Sequence, residues 1–298
     1  MTGAPTSDTE IRTVRAGRPG PGPVRCSVGD LLLADLPVSV VLFHDRPLDA
    51  DALATGLALA LARLPEFAGR LRTTPDGELW IATDDSGVPF TVADSPHTIT
   101  EAFDRTALPA SGLVDHVRAA EARQTRLPLL TVRPTRLADG TGALGNLLGE
   151  IRLPWRPGTT PAQYAAELRT AVEEFTAPHL SLRSNQRFLQ RIGRERITDC
   201  VPAGFDPARR ALTISSWCRL GLHQLPLAGH RPIAFSPAAT LQLPWSSWLV
   251  EGPGGEGLLW TLVLPTRLSA RLRGAHDLLH PYRDASDLLP SVGPRKLL

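Results

Sequence analysis

Residues 38–71 read VSVVLFHDRPLDADALATGLALALARLPEFAGRL, and this stretch decides the expected fold. Its first six residues, 38–43, form an unbroken apolar run rich in β-branched side chains, which predicts a buried strand. A helix is expected next, because Asp49 or Asp51 can cap its start and Pro65 stops it. Leucines recur on one face of that helix: Leu53, Leu57, Leu61 and Leu64. We expect this strand and helix to form the core of the N-terminal half.

Strands and helices mix along the rest of the chain without a strict alternation. A hairpin is expected on either side of Pro75-Asp76-Gly77, because proline fixes φ and glycine accepts a left-handed conformation. Further strands are predicted at residues 127–136, 211–219, 241–250 and 258–264. This order favours an α+β fold, with mixed β-sheets and flanking helices, over a doubly wound sheet.

Composition excludes several classes of protein. The chain has 298 residues, of which 42% are apolar, and a net charge of +2. An ordinary apolar content excludes disorder of the whole chain, and 32 basic against 30 acidic residues give no strong field for nucleic acid. No apolar run is long enough to span a membrane. Three cysteines without CxxC spacing fit a reduced, cytoplasmic location.

The chain is expected to divide into three parts. Residues 1–24 begin with a stretch rich in Gly, Pro and Thr that lacks an apolar signal core, and we interpret them as a flexible tail. Residues 25–150 would form an N-terminal α/β half and residues 151–298 a C-terminal one.

The order of these pieces resembles the BAHD-type acyltransferases of the chloramphenicol-acetyltransferase-like superfamily. The most specific part is LPEFAGRL at residues 64–71, which follows Val28-Gly29-Asp30, the strand and the leucine-faced helix. Gly145-Asn146 resembles a Gly-Asn stretch in the family's second half. Residues 214–235 (ISSWCRLGLHQLPLAGHRPIAF) resemble the family's strand, loop and DFGWG structural motif, here degraded. The resemblance implies a shortened version of that fold and acyl transfer to oxygen or nitrogen.

The family's catalytic signature, HxxxDG, is absent from its usual place. In the family its His is the general base and its Asp supports loop structure. The spacing occurs at Thr135 to Asp139-Gly140, with Thr in place of His. Either the motif is present with its base lost, or TRLADGTGALG is the hairpin that precedes the motif in longer homologues. Only His280 has an Asp four residues later, in HPYRD near the C-terminal end.

Three histidines remain as catalytic candidates. His44 closes the first buried strand, His230 lies in the degraded structural loop, and His280 begins HPYRD. His223 also lies in the second half, six residues after Trp217; such a histidine is more often a surface or packed residue than a base. The candidates for substrate binding are Trp217, Trp245, Trp248, Thr135 and Asp139. We expect neither a metal site nor a cofactor.

These residues suit a tailoring enzyme of specialised metabolism that acts on an apolar acyl or polyketide-like substrate, with acyl transfer implied by the resemblance alone. A cofactor-free cyclase that shapes a flexible substrate, or a non-catalytic binding subunit, is the alternative. An acyl-CoA or an acyl carrier protein is a possible partner, and so is a second copy of the chain. Arg183, Arg187 and Arg191 line one predicted helix face, which is either a solvated basic surface or a docking site for such an acidic partner.

Overall fold

The computed structural model describes residues 9–26, 38–74, 78–108, 111–115, 128–144, 212–238 and 245–275, together with residues 163, 166, 191 and 289. Fifteen strands and helices account for most of the regular structure in these ranges. They are β1 (Thr9–Val14), β2 (Val24–Arg25), β3 (Val40–His44), α1 (Ala50–Arg63), β4 (Arg70–Thr73), β5 (Leu79–Ala82), β6 (Val88–Asp94), α2 (Ile99–Arg105), β7 (Thr135–Arg136), β8 (Gly142–Leu144), β9 (Thr213–Ser216), β10 (Ala234–Pro237), β11 (Ser246–Glu251), β12 (Leu258–Val263) and α3 (Thr266–Arg273).

A six-stranded mixed sheet forms the centre of this structure, in the order β1-β6-β7-β8-β3-β10. Strands β6 and β7 are parallel and the other neighbours are antiparallel. Strand β10 comes from beyond residue 150 yet pairs with β3, so the sheet joins strands from both predicted halves. Two smaller sheets have the orders β12-β11-β9 and β2-β5-β4. The expected α+β fold with mixed sheets is confirmed.

The expected first strand and helix are present as β3 and α1. All five residues of β3 are buried: residues 40–43 as their apolar side chains predict, and His44 with them. One carboxylate oxygen of Asp49 caps α1 by accepting hydrogen bonds from the amides of Asp51 at 2.9 Å and Ala52 at 3.0 Å. Pro65 begins a short 3₁₀ helix, Pro65–Ala68, directly after α1.

The apolar face of α1 is narrower than its leucine spacing predicts. Leu53 and Leu61 are buried against β1 and β6, whose Val14, Val88 and Phe90 belong to the same apolar cluster. Leu57 is half-buried at the edge of this cluster. Leu64 is 53% exposed, because the helix ends before it and the backbone there is no longer helical.

A second apolar cluster lies around β3 and β10. It contains Phe43, Phe103 of α2, Trp217, Phe235 and Trp248. The rings of Phe43 and Phe103 are tilted, with centroids 5.3 Å apart. Helix α2 begins with a capping box in which Thr98 and Glu101 exchange hydrogen bonds. This cluster therefore holds together residues that are about 200 positions apart in sequence.

The expected flexible tail, residues 1–24, is corrected by the structure in its second part. Thr9–Val14 form a strand that pairs antiparallel with residues 88–93 of β6. Val14 is buried, and the guanidinium of Arg12 lies 5.0 Å from the centre of the Phe90 ring. Residues 1–8 and the proposed division at residue 150 lie outside the described residues, so those parts stay predictions.

The expected strand at residues 127–136 is mostly irregular. Of its described residues, 128–136, only Thr135–Arg136 form a strand, and Pro128 and Val132 make isolated bridges. Pro128 and Pro134 lack the amide hydrogens that a continuous strand needs, which explains the interruption. The expected hairpin is present as antiparallel β4 and β5, while its turn, residues 75–77, lies outside the described residues.

Candidate functional site

The stretch with HxxxDG spacing forms a β-hairpin. Strands β7 and β8 pair antiparallel, and residues 138–140 turn between them. Asp139 holds this turn: one carboxylate oxygen accepts from the hydroxyl of Thr141 at 2.6 Å and from its amide at 3.3 Å. The other oxygen accepts from the amide of Ile99, the first residue of α2, at 2.6 Å. Asp139 therefore ties this turn to the start of α2.

We expect Asp139→Asn to lower the free energy of unfolding by about 1–3 kcal/mol, because an amide nitrogen placed at either oxygen cannot accept the bond made there. Urea denaturation would measure the loss. Asp94→Asn is the matched control, since Asp94 is half exposed and lies 3.6 Å from its partner Arg136. Its effect should stay within about 0.5 kcal/mol. Equal losses for the two variants would contradict the role of Asp139.

Thr135, which stands four residues before Asp139 where the motif spacing has His, is buried. It is 4% exposed, and its hydroxyl has no hydrogen-bond partner within the described ranges. Thr135 pairs with Ala143, and Ala143 pairs with Phe43, so these three side chains lie on one face of the sheet. His44 follows Phe43 and lies on the opposite face. The sheet therefore separates Thr135 from His44, and they do not form one site.

His44 is fully buried at the end of β3. Burial lowers the pKa of His44 from 6.5 to about 4; nearby Asp45 opposes this shift, and His230 adds to it. The backbone of Arg231 lies close enough to raise this pKa slightly. Neither ring nitrogen, however, makes a hydrogen bond of normal geometry with any described residue. An inaccessible, weakly basic imidazole is a poor general base near pH 7.

His230 follows a tight turn that occupies the place of the degraded structural motif. The backbones of Leu227 and His230 exchange two hydrogen bonds of 2.9 Å. The two residues between them, Ala228 and Gly229, have positive φ values of 47° and 82°, as in a type I′ turn. Leu227 and Ala228 pack against the apolar cluster of α1. His230 lies close enough to His44 to lower the pKa of that residue, although the two histidines are 186 positions apart in sequence.

The three candidate tryptophans have different environments. Trp217 and Trp248 belong to the apolar cluster around β3, and they are 1% and 9% exposed. The indole of Trp217 donates a hydrogen bond to the hydroxyl of Ser215 at 3.1 Å. Trp245 lies just before β11, not within a strand as expected, and has a left-handed φ of 68°. Packing accounts for Trp217 and Trp248, and their role in substrate binding stays a prediction.

Several candidates lie outside the described residues. His280, Arg183 and Arg187 are among them, while Arg191 is helical and exposed. Among the residues that the structure describes, no helix is long and apolar enough to cross a membrane.

A surface pocket of about 480 Å³ lies beside the His230 turn. Three segments line it. His223 comes from the 3₁₀ helix Leu222–Gln224, and Pro253 and Gly254 come from the 3₁₀ helix Pro253–Gly255. Arg231, Pro232 and Ile233 come from the residues just before β10. The sequence singles out His223 but gives no sign of Arg231, because no local pattern indicates that these three segments meet.

The comparisons with known proteins agree with this fold. Residues 23–147 match the family model described as Transferase family. Vinorine synthase superposes with a TM-score of 0.57 at 16% identity, and the match covers 94% of this chain and 100% of that one. TRI101 of F. sporotrichioides, solved in complex with Coenzyme A and T-2, gives a TM-score of 0.59 at 12% identity, covering 87% of this chain and 98% of the other. No curated protein sequence matches significantly. The chain therefore has the fold of the BAHD-type acyltransferases, as its resemblance to them predicts, and its residues 23–147 match the transferase family.

Proposed function

We propose that this chain is an acyltransferase-like tailoring enzyme of specialised metabolism that acts on an apolar acyl or polyketide-like substrate. The observation that carries the proposal is the Asp139-centred hairpin, within a fold shared with a protein solved in complex with Coenzyme A. On this proposal the hairpin corresponds to the family motif, and Asp139, which holds the turn, takes the loop-supporting role of its Asp. An acyl-CoA or an acyl carrier protein thioester is the proposed acyl donor.

In the proposed reaction an acceptor oxygen or nitrogen attacks the thioester carbonyl. A new C–O or C–N bond forms, the C–S bond breaks, and the released thiol takes up the acceptor's proton. A positioned general base accelerates such a step by about 10²–10⁴-fold. Thr135 cannot supply this base, and His44 is buried with a lowered pKa. We therefore expect slow transfer to ordinary acceptors.

The test follows thiol release from octanoyl-CoA with octylamine or octanol as acceptor. We expect release that requires the protein and saturates with octanoyl-CoA, at a rate about 10²–10⁴-fold below that of a transferase with its base in place. Robust turnover that disappears in His280→Ala would overturn the expectation and make the C-terminal HPYRD the active motif. Absence of both release and binding would remove the acyltransferase proposal.

A cofactor-free cyclase is the second candidate. The burial of Thr135 and His44 favours it, because holding a flexible substrate in a reactive shape accelerates a reaction without a base. Binding of an apolar substrate without any thiol release would point to this activity or to a binding subunit. Formation of a ring from a linear polyketide-like compound would then identify a cyclase, and its absence would leave a binding subunit.

A further inference from the structure

The pocket beside the His230 turn combines one cationic side chain with apolar walls. Pro232, Ile233 and Pro253 supply the apolar surface, and Arg231 supplies the charge. Arg231 is exposed, and within the described ranges its side chain makes no ion pair or hydrogen bond. The pocket has a volume of about 480 Å³, which is within the usual range for sites that hold small organic molecules.

The backbone that follows Arg231 is fixed by hydrogen bonds. The amide of Ile233 donates to the carbonyl of Phe43 at 2.7 Å, and the carbonyl of Ile233 accepts from the amide of Gly254 at 2.9 Å. Pro232, between Arg231 and Ile233, is buried and has a restricted φ. These contacts tie the pocket wall to the central sheet. The base of the Arg231 side chain is therefore held at the pocket before any ligand binds.

Glu251 is a carboxylate close to His223 in the pocket wall, and it is already engaged. One of its oxygens accepts from the amide of Arg219 at 2.9 Å, and the other lies 3.9 Å from Nε2 of His223. Arg219 holds this position with a left-handed φ of 65°, which is unusual for a residue with a side chain. Glu251 thus faces His223, and among the described residues no carboxylate forms an ion pair with Arg231.

His223 adds a second polar group to the pocket wall. Its side chain is 10% exposed, and its ring packs on Phe235 with centroids 4.9 Å apart. Both ring nitrogens are buried, and no described residue makes a hydrogen bond to either. A buried polar group without a partner is uncommon and calls for an explanation. A ligand that carries a hydrogen-bonding group into this pocket would supply a partner after a small rotation of the ring.

We propose that this pocket binds amphiphilic carboxylic acids. The carboxylate would pair with the guanidinium of Arg231, which matches a carboxylate with two parallel N–H donors. The apolar chain would lie on Pro232, Ile233 and Pro253, with His223 at the wall. The inference rests on the proposed function in one respect: it assigns an acidic group to the apolar acyl or polyketide-like substrate.

Isothermal titration of the full chain tests the site with three probes: octanoate, octanol and inorganic phosphate. We expect octanoate to bind more tightly than either of the others, because only octanoate has both the charge and the chain. Arg231→Gln should weaken octanoate binding about tenfold, as the loss of a charge-assisted hydrogen bond does. Arg271→Gln is the matched control, since it removes an exposed arginine of α3 that does not line the pocket; its binding should equal that of the unmodified protein.

Several results would overturn the proposal. One is that Arg231→Gln binds octanoate as tightly as the unmodified protein does. Another is that octanol binds as tightly as octanoate, or that phosphate binds more tightly than octanoate. Equal weakening by Arg231→Gln and Arg271→Gln would show attraction to the overall charge only. Arg231 is exposed, so its replacement should leave the fold intact, and His223→Gln provides a second measurement within the pocket. Octanoate binding that depends on Arg231, without thiol release from octanoyl-CoA, would keep this inference and remove the acyltransferase proposal.

Discussion

Leu61→Ala is expected to lower the free energy of unfolding by about 2–5 kcal/mol, the usual loss for a truncated buried leucine. Leu61 is 1% exposed and packs in the cluster that joins α1 to β1 and β6. Truncation removes the transfer free energy of the lost atoms and leaves a cavity. The surrounding strands can collapse into this cavity only in part, because Val88 and Phe90 are fixed in the central sheet. Urea or thermal denaturation measures the effect.

Leu59→Ala is the matched control on the same helix. Leu59 is 67% exposed, so this change should alter the stability by no more than about 0.5 kcal/mol. Leu57→Ala should give a value between the two, because Leu57 is half-buried at the edge of the cluster. Similar midpoints for Leu61→Ala and Leu59→Ala would show that α1 does not pack on the sheet as described.

Local patterns are enough to predict the first strand and helix. The apolar run of β3 favours a buried strand, and Asp49 favours the start of a helix. Both preferences act on residues only a few positions away. The end of α1 at Pro65 is equally local, since proline cannot continue a helix. Strand β1 was not predicted, because TEIRTV has neither an apolar run nor a regular alternation, and its stability depends on pairing with the distant β6.

The sheet order and the pocket depend on contacts between distant residues. Strands β3 and β10 are about 190 residues apart, and no pattern in either one identifies its partner. Similarly, His223, Arg231 and Gly254 come from three segments that meet only after β10 has joined the sheet. The sequence does place Thr135 and Asp139 together, because motif spacing is a local property. It cannot tell that the sheet separates Thr135 from His44, since that depends on which strands pair.

Acidification from pH 6.5 to pH 4 is expected to remove about 2–3 kcal/mol of stability through His44 alone. The pKa of His44 is about 4 in the folded protein, against 6.5 for an ordinary histidine. Between these values the unfolded chain binds a proton at His44 and the folded chain does not, so the free energy of unfolding falls as the pH falls. The contribution is complete above pH 6.5 and is lost as the pH falls towards 4. The difference of 2.5 units between the two pKa values corresponds to about 3 kcal/mol at most.

The physical cause is the charge that protonation would place on a ring with no exposed surface. Asp45 favours the charged ring, whereas His230 and the burial itself disfavour it, and burial dominates. His44→Gln removes the titrating group, so its free energy of unfolding should fall less steeply than that of the unmodified protein between pH 6.5 and 4. His44→Asn repeats the comparison with a smaller neutral amide. If both variants keep the full slope of the unmodified protein in urea denaturation across this range, His44 is not the buried neutral histidine that its position at the end of β3 implies.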